Sequence, residues 1–323
     1  MELYVLDTKD PYLNLAIEEY LFRNSTDSIF ILWQNDNAVV IGKNQNAYCE
    51  INTEYAKNKN IKIARRITGG GAVYHDLGNI NYSFISKSSN NEIDFKTFTE
   101  PIISLLQSLG INAELSGRND ILVGEKKISG NAQFSSNGRV LHHGTLLFDS
   151  DLSVLSGALN VDPEKIKSKA IKSTRSRVTN IKELLKENIS AKDFIHFLSK
   201  YIIDRFSAKL CDIPINDEIS SLAKRNASDE WLFPKRDFLS SYTLKKKKRF
   251  DFGTVEIDLE MYGDVIRNVK IHGDFFGNEA IESLESIIVG TSIGGVKSKI
   301  ADVKISSYVH GMTNEEFVNF IIE

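Results

Sequence analysis

Residues 65–79 read Arg65-Arg66-Ile67-Thr68-Gly69-Gly70-Gly71-Ala72-Val73-Tyr74-His75-Asp76-Leu77-Gly78-Asn79, a glycine-rich loop that follows a strand-like segment. Three consecutive glycines let the backbone approach a ligand closely, and their amides can point at an anion. The two arginines before them carry a permanent positive charge suited to phosphate or carboxylate. The pattern is neither the Walker loop nor the dinucleotide fingerprint. A triple glycine alone indicates only a tight turn, but with these flanks it favours an anion site.

A second motif, Gly117–Ala132, predicts a short hairpin that turns at Gly124-Glu125. Lys126 and Lys127 then point to opposite faces of one strand, so we expect one lysine to be solvated and the other to face inward. Two solvated lysines are the plainer interpretation of such a hairpin. The small residues that follow favour an inward lysine because they leave room for a ligand, and they are Ser129, Gly130 and Ala132.

Asn119 and Asp120 stand immediately before the first strand of this hairpin. An amide and a carboxylate in that place are able to hold a ligand amine or a magnesium ion, and they equally make an Asx turn. The residues alone leave both interpretations open.

A third motif, His142-His143-Gly144-Thr145-Leu146-Leu147, combines two histidines with strand-like alternation. Neighbouring strand residues face opposite sides, so the two rings cannot share one metal ion without distortion. We therefore predict one exposed histidine and one that lines a cavity. Cys49 and Cys211 lie outside all three motifs, and two cysteines are too few for a disulfide framework or a four-ligand zinc site.

The length of 323 residues suggests two domains, or one large domain with an appendage. The 40 Lys and Arg against 43 Asp and Glu leave a net charge of −3, which argues against a general nucleic-acid binder. No run approaches the roughly 18–20 apolar residues of a membrane helix, and the first residues lack the order of a signal peptide. We expect a reduced cytoplasmic protein that binds neither membranes nor nucleic acid.

Hydrophobic patterning predicts hairpins mixed with helices, an α/β (α+β) layout around a largely antiparallel or mixed sheet. Strands are predicted at Ile29–Trp33, Ala38–Ile41, Ile61–Ala64, Tyr82–Ile85, Ile121–Val123 and Val140–Phe148. Helices are predicted at Asn14–Phe22, Phe95–Leu109 and Ala191–Phe206. A hairpin loop is predicted at Ser135-Ser136-Asn137-Gly138.

Composition changes near Pro234, after which a basic run, Lys245-Lys246-Lys247-Lys248-Arg249, precedes a compact series of strands. The run favours a solvated edge strand that discourages aggregation, with partner docking as the alternative. The chain closes on a helix that starts with a capping box at Thr313 and Glu316. These features predict a second, C-terminal domain.

Together the motifs resemble the lipoate–protein ligase A family, in its bipartite bacterial type with a C-terminal accessory domain. The resemblance runs in order from about residue 3 to 206 and extends more loosely through Trp231 and the C-terminal segment. The segments that carry it are Asn14–Glu19, Arg65–Asn79, Gly117–Ala132, His142–Leu147 and Ser173–Asn180. It implies the biotin/lipoate protein ligase fold, with a mixed-sheet catalytic domain at residues 1–240 and a small α/β accessory domain at residues 245–323.

The resemblance also implies two-step chemistry. Lipoate attacks the α-phosphate of ATP to form lipoyl-AMP and pyrophosphate, and the lipoyl group then passes to a lysine of an acceptor protein. The implied acceptors are lipoyl-domain proteins, namely E2 subunits and the glycine-cleavage H protein. The implied cofactors are ATP and Mg²⁺, and we expect a monomer.

Matched residue by residue, Lys127 corresponds to the family's catalytic lysine, which contacts both the carboxylate and the α-phosphate. The implied nucleotide-binding residues are Arg66, Gly71, Ala72, Val73, Tyr74, Asn119 and Lys127. The implied substrate-binding residues are Lys127, Gly70, Gly71, His143 and Trp33, and the implied metal ligand is Asp120. A place in the core fits Trp33 and Val40 as well as a place in the lipoyl slot does, and a structural role fits His143 equally well.

The rival functions each differ in one requirement. An acyltransferase that works through a cysteine thioester needs a nucleophilic cysteine near the acyl site, and neither cysteine falls in a matched segment. A lipoyl or octanoyl transferase that uses preformed adenylate needs no ATP. A non-catalytic lipoate- or nucleotide-binding module needs no inward lysine. Biotin ligase shares the fold, but its Gly-Arg-rich loop is absent from this sequence.

Overall fold

The computed structural model describes residues 1–88, 93–160, 178–213, 215–234 and 242–322, which form two compact units. The first unit comprises Met1–Val40, Tyr48–Arg65 and Ala72–Leu232, and the second comprises Ile41–Ala47, Arg66–Gly71 and Phe233–Glu323. The domain boundary expected between residues 240 and 245 stays a prediction. Residues 173–177 of the last matched motif lie outside the described residues.

The first unit is built on a mixed sheet of eight strands in the order β11-β1-β2-β6-β10-β9-β8-β7. Strands β11, β1 and β2 run parallel to one another, and the other neighbouring strands of this sheet pair antiparallel. These strands are β1 (Glu2–Val5), β2 (Ile29–Trp33), β6 (Asn79–Lys87), β7 (Ala113–Ser116), β8 (Asp120–Val123), β9 (Lys126–Ser136), β10 (Arg139–Leu147) and β11 (Lys209–Leu210). A separate three-stranded sheet has the order β4-β3-β5, with β3 (Ala38–Ile41), β4 (Lys62–Arg65) and β5 (Val73–His75).

The helices of the first part of the chain lie between these strands. They are α1 (Pro11–Asn24), α2 (Ala47–Glu50), α3 (Thr53–Asn58), α4 (Phe95–Ser108), α5 (Val154–Ala158), α6 (Ala191–Phe206), α7 (Asp217–Asn226) and α8 (Asp229–Leu232), with a 3₁₀ turn at Ile181–Leu184. The strands and helices predicted from periodicity are all present, with ends shifted by a few residues. The mixed sheet is therefore confirmed.

Both predicted hairpins are present because their turns carry residues that tolerate a positive φ. The β9–β10 loop has φ 52° at Asn137 and 70° at Gly138, and the β8–β9 loop has φ 60° at Gly124. Asn and Gly adopt this region at little cost, and the two-residue loop fixes the register of the strands that follow.

One face of the large sheet carries the main apolar core. Aromatic side chains of β2 and β6 pack there with side chains of α4 and α6, including Phe30, Tyr82, Phe84, Ile102, Leu106, Phe194 and Leu198. Helix α1 lies on the opposite face, where the Ser83 hydroxyl donates to the Glu18 carboxylate. The central strands are therefore covered on both sides.

Strand β10 shows the effect of this double cover. The exposed fractions of its two histidines are 0% for His142 and 7% for His143, so the prediction of one exposed histidine was wrong. Alternation does place the rings on opposite faces, as expected. However, His142 stacks on Phe98 of α4 at 5.2 Å between ring centroids, and His143 bonds to Glu18 of α1.

The second unit contains an antiparallel sheet in the order β12-β13-β14, with β12 (Leu244–Phe250), β13 (Gly253–Tyr262) and β14 (Val265–Gly273). Its helices are α9 (Ile281–Ile288), α10 (Val296–Lys299), α11 (Ile305–Tyr308) and α12 (Asn314–Ile322), with a 3₁₀ turn at Ile293–Gly295. The capping box of α12 is confirmed, since the Thr313 amide donates to Glu316 at 2.8 Å and the Glu316 amide donates to Thr313 at 3.1 Å.

The basic run forms the edge strand β12, as predicted. Its cations have partners inside the second unit: Lys247 pairs with Glu256 at 2.8 Å, and Arg249 pairs with Asp274 at 3.1 Å. Lys246 donates to the carbonyl of Ile321 at the end of α12, where a cation complements the helix dipole. The run therefore braces this unit, and these contacts favour the edge-strand interpretation. No helix among the described residues is long and apolar enough to cross a membrane.

We expect His142 to make the protein less stable in acid. Burial, and then the neighbouring His143, hold the pKa of His142 well below its ordinary value of 6.5. The unfolded chain therefore takes up this proton at a higher pH than the folded protein does, and the free energy of unfolding should fall as the pH drops below about 6.5. In His142→Phe, that part of the decline should disappear from denaturant titrations run between about pH 7 and pH 5.

His196→Gln is the matched control because it removes an exposed histidine of α6. It should keep the acid-side decline of the unaltered protein. A His142→Phe variant that loses stability in acid as steeply as this control would contradict the explanation.

Candidate active site

An irregularity in the β8–β9 hairpin sets the position of Lys127. Ile121 stands opposite Ser129, but Leu122 stands opposite Lys127, so β9 carries one extra residue at Ile128. Such a bulge re-aims the side chains around it. Ile128 is fully buried, Lys126 is exposed, and Lys127 is partly buried. The prediction that one lysine of the pair is solvated is confirmed for Lys126, and an inward, ligand-facing Lys127 stays a prediction.

The ammonium of Lys127 is held by two features. Its Nζ lies 2.7 Å from Oδ1 of Asp120, with the two side chains 34% and 37% exposed. A Cβ added at Gly130 would lie only 2.8 Å from the same Nζ, so glycine at this position leaves the space that the ammonium occupies. An ion pair this exposed stabilises a protein by only about 0–1 kcal/mol. The ammonium can therefore leave Asp120 for an anionic ligand at little cost.

A row of residues crosses four strands from this lysine. Thr145 of β10 exchanges hydrogen bonds with the backbone of Gly130, with 3.2 Å from the Gly130 amide to Oγ1. Asn81 of β6 stands directly opposite Thr145, and Trp33 of β2 stands directly opposite Asn81. Directly opposed residues share a face of the sheet. This cross-strand row, Gly130–Thr145–Asn81–Trp33, spans about 14 Å at about 4.8 Å per strand.

The far end of the cross-strand row is anchored by a buried hydrogen-bond network. The Trp33 indole Nε1 donates to Ser83 Oγ at 3.0 Å, and Ser83 donates to Glu18 at 2.5 Å. His143 Nδ1 lies 2.9 Å from the Glu18 carboxylate. A carboxylate only accepts, so the Nδ1 of His143 carries a proton. The network fixes the orientations of both Trp33 and His143, which sequence reasoning had assigned to substrate binding.

Glu18 and Ser83 were missed as site residues. The only sequence signal for Glu18 was its place in the matched segment Asn14–Glu19, where two adjacent carboxylates occur in an otherwise apolar helix. Both are almost fully buried, and Glu19 pairs instead with Arg23 and Arg225. A buried carboxylate must be paired, but the partners of Glu18 are distant in sequence and only the fold brings them together.

The side chain of Asn119 hydrogen-bonds to the backbone of the neighbouring strand β9. Its side-chain amide donates to the carbonyl of Asn131, and the Asn131 side chain donates back to the carbonyl of Asn119 at 3.0 Å. The Tyr82 hydroxyl in turn donates to Asn131. This reciprocal pair fixes the turn before Asp120, and a role of Asn119 in nucleotide binding stays a prediction.

Arg66 holds together the glycine-rich loop of the second unit. Its guanidinium donates to Thr68 Oγ1 at 3.0 Å and to the carbonyls of Gly69 at 2.7 Å and Gly71 at 2.8 Å. Gly70 has φ 92°, a conformation that favours glycine. A Cβ at Gly71 would meet open space. The loop is thus preformed around a buried cation. Nucleotide binding by Arg66 and Gly71, and substrate binding by Gly70 and Gly71, stay predictions.

Arg65 has a structural role, unlike the anion-binding role expected of both arginines. Its guanidinium donates to the carbonyls of Trp231 at 3.0 Å and Leu232 at 2.7 Å. The Trp231 indole donates back to the Arg65 carbonyl at 3.0 Å. These hydrogen bonds fix the end of β4, the strand that precedes the glycine-rich loop in sequence.

Ala72, Val73 and Tyr74 continue the loop into β5. Val73 and Tyr74 pair with Val40 and Val39 of β3. The Tyr74 hydroxyl donates to Asn37 at 3.0 Å, and burial raises the pKa of this phenol to about 12. Tyr74 is therefore neutral at physiological pH and does not repel phosphate. Val40 is buried in β3, which supports the core interpretation for that residue.

Asp120 is the residue expected to hold magnesium. Its carboxylate is part-exposed and already meets a cation, and Mg²⁺ in nucleotide sites is usually held by one or two carboxylates together with substrate phosphates. Among the described residues, no group of three or more His, Cys, Asp or Glu could hold a metal ion by itself. The residues fit a magnesium ion that arrives with a nucleotide, and that role stays a prediction.

Two family models match the chain. The model for the lipoyl protein ligase A/B catalytic domain matches residues 10–203, and the model for the bacterial lipoate protein ligase C-terminus matches residues 240–321. Lipoate-protein ligase LplJ of Bacillus subtilis (strain 168) is 40% identical over 97% of each chain. Lipoate–protein ligase 1 of Staphylococcus aureus (strain Mu50) is 42% identical over 87% of each chain.

Solved structures agree with these matches. LipL1 of P. falciparum in complex with lipoate superposes with a TM-score of 0.81 at 26% identity, covering 99% of this chain and 98% of the other. A lipoate-protein ligase A bound with ATP gives a TM-score of 0.62 at 31% identity, covering 72% and 98%. The mixed sheet and the small α/β unit, together with these matches, therefore define the class as a protein ligase with a C-terminal domain. Within that class, the chain belongs to the lipoate–protein ligase family and is an enzyme with that activity.

Gly130→Ala should lower the rate at which the enzyme activates lipoate by at least about tenfold, because the new Cβ occupies the space of the Lys127 ammonium. We would measure lipoate-dependent exchange of labelled pyrophosphate into ATP, together with the melting temperature. The loss should vanish in a Lys127→Ala background, since a double-mutant cycle isolates the coupling between the two residues.

Gly294→Ala is the matched control, since its Cβ would meet open space in the second unit. Equal exchange rates for Gly130→Ala and Gly294→Ala would show that Gly130 does not position Lys127.

Proposed function

We propose that this enzyme activates lipoate with ATP as lipoyl-AMP and then transfers the lipoyl group to the ε-amine of a lysine on a lipoyl-domain protein. The observation that carries the proposal is the position of the Lys127 ammonium at one end of the cross-strand row. The other end of this row is the buried Trp33 indole. The names of the solved relatives support it, since one is bound to lipoate and another to ATP.

In the first step, a carboxylate oxygen of lipoate attacks the α-phosphorus of ATP. The new O–P bond forms as the bond to the β-phosphate oxygen breaks, and pyrophosphate leaves with its electron pair. The carboxylate and the phosphate repel each other, so a fixed cation between them lowers the barrier. Lys127 supplies that charge in our proposal, after its ammonium leaves Asp120.

In the second step, the amine of the acceptor lysine attacks the acyl carbonyl of lipoyl-AMP. The amide bond forms, AMP leaves as the phosphate monoester, and the amine loses a proton. The developing negative charge on the carbonyl oxygen again lies where Lys127 can stabilise it. This route uses no cysteine, and neither Cys49 nor Cys211 belongs to the cross-strand row.

For the nucleotide, we propose that the glycine-rich loop binds the phosphates. The proposed nucleotide-binding residues are Arg66, Gly71, Ala72, Val73, Tyr74, Asn119 and Lys127. The proposed substrate-binding residues are Lys127, Gly70, Gly71, His143 and Trp33. The preformed shape of the loop supports this proposal, because backbone amides that need no reordering bind an anion without an entropy cost. We further propose that Asp120 helps to hold Mg²⁺, whose positive charge would offset that of the phosphates.

The proposed acceptors are lipoyl-domain proteins, including E2 subunits and the glycine-cleavage H protein. An archaeal relative, the bipartite ligase of Thermoplasma acidophilum, was solved together with its E2 lipoyl domain, which supports the acceptor class. We propose a monomer in the cytoplasm, with residues 1–240 as the catalytic domain and residues 245–323 as the accessory domain.

Lys127→Ala should reduce lipoate-dependent pyrophosphate exchange on the order of 10²–10³-fold, the usual cost of removing one preorganised charge from a transition state. The assay contains no acceptor protein, so it reports activation alone. Lys126→Ala is the matched control, because it removes the exposed lysine next in sequence and should leave the rate near that of the unaltered enzyme.

Other outcomes would replace the proposal. Absent exchange, together with transfer from added lipoyl-AMP to an acceptor, would define a transferase that uses preformed adenylate. No activity in either assay would leave a module that binds lipoate or nucleotide without catalysis.

A further inference from the structure

Two asparagines of β6 form a buried pair with unused hydrogen-bonding capacity. Asn79 and Asn81 are 0% and 2% exposed, and Asn79 Nδ2 donates to Asn81 Oδ1 at 3.0 Å. Asn79 Oδ1 and Asn81 Nδ2 have no hydrogen-bond partner among the described residues. With the amides in this orientation, the unpaired donor belongs to Asn81 and the unpaired acceptor belongs to Asn79.

This arrangement costs the free protein stability. A buried polar group without a partner costs about 1–3 kcal/mol, and native proteins keep few of them. Most other polar side chains on this face are satisfied: Trp33 by Ser83, and Ser83 and His143 by Glu18. An unpaired donor among satisfied neighbours indicates a group that is completed by a ligand.

The register gives the position of that donor. Asn81 stands opposite Trp33 on one side and opposite Thr145 on the other. Thr145 in turn contacts Gly130, beside the Lys127 ammonium. Asn81 is therefore one strand from the indole and two strands from β9, about 10 Å from the strand beneath the ammonium. A ligand carboxylate held by Lys127 would be distant from Asn81, whereas the tail of the same ligand would reach it.

We propose that Asn81 is a specificity-determining residue that donates a hydrogen bond to a sulfur of the dithiolane ring and so favours lipoate over octanoate. The inference rests on the proposed function. Divalent sulfur is a weak acceptor, whereas a methylene at the same place leaves the amide unpaired. Sites that contain a polar partner discriminate against analogues that cannot use it. Lipoate should therefore bind more tightly than octanoate, by about fivefold for one weak hydrogen bond.

The test measures binding of each acid by calorimetry without ATP, so it does not depend on catalysis. In Asn81→Leu, lipoate should bind about fivefold more weakly while octanoate binds as well as before or better, because an apolar side chain of similar size replaces the amide. The ligand-free melting temperature should fall, since the variant removes the unpaired Asn81 Nδ2 but also the acceptor of the Asn79 amide, so the ratio of the two affinities is the readout. Asn81→Ala, which removes the amide without adding bulk, should change the ratio in the same direction.

Ile80→Val is the matched control. Ile80 is the adjacent residue of β6 and belongs to the apolar core on the other face, so its variant should lower stability modestly and leave the ratio unchanged. A purely structural role for Asn81 would weaken both acids alike and leave their ratio unchanged, which would overturn the inference but not the proposed function. An unaltered protein that binds neither acid would overturn both.

Discussion

The double cover of β6 and β10 constrains the rest of the first unit. The polar groups in the middle of these strands, such as those of Asn81, Ser83 and His143, are buried, so each must find a partner in the protein or in a ligand. On one face the solution is apolar, with aromatic rings packed against α4 and α6. On the other face the strands carry Asn, Ser, His and Thr, and α1 supplies a buried carboxylate at Glu18. That polar face is where the chemistry of the enzyme is expected.

Charge is distributed unevenly along this face. The buried end is held by strong, satisfied hydrogen bonds around Glu18, which fix Trp33 and His143. At the more open end, a part-exposed pair joins Lys127 to Asp120, and such a pair exchanges partners cheaply. A rigid, buried end whose polar groups are paired with one another and an exchangeable cationic end suit a ligand with an apolar tail and an acidic head. Gly130 belongs to the cationic end of the cross-strand row, where it leaves space for the Lys127 ammonium.

Local chemistry explains which features the sequence could predict. Periodicity and turn residues predicted the strands, the helices and the turns at Gly124 and Asn137, because these depend on neighbours in the chain. The solvated Lys126 was predicted correctly because strand alternation is also local. The prediction of one exposed histidine was wrong, since alternation assigns a face but not what covers it. Arg65 was misassigned, and Glu18 was missed, because their partners lie far away in sequence.

The most direct test of the central claim is a crystal structure with lipoyl-AMP bound. We expect Lys127 Nζ to have left Asp120 and to lie about 2.7–3.1 Å from an acyl or phosphate oxygen, with the acyl chain passing over Gly130 and Thr145 towards Trp33. A ligand on the opposite face of the sheet, or one that leaves Lys127 paired only with Asp120, would contradict the account.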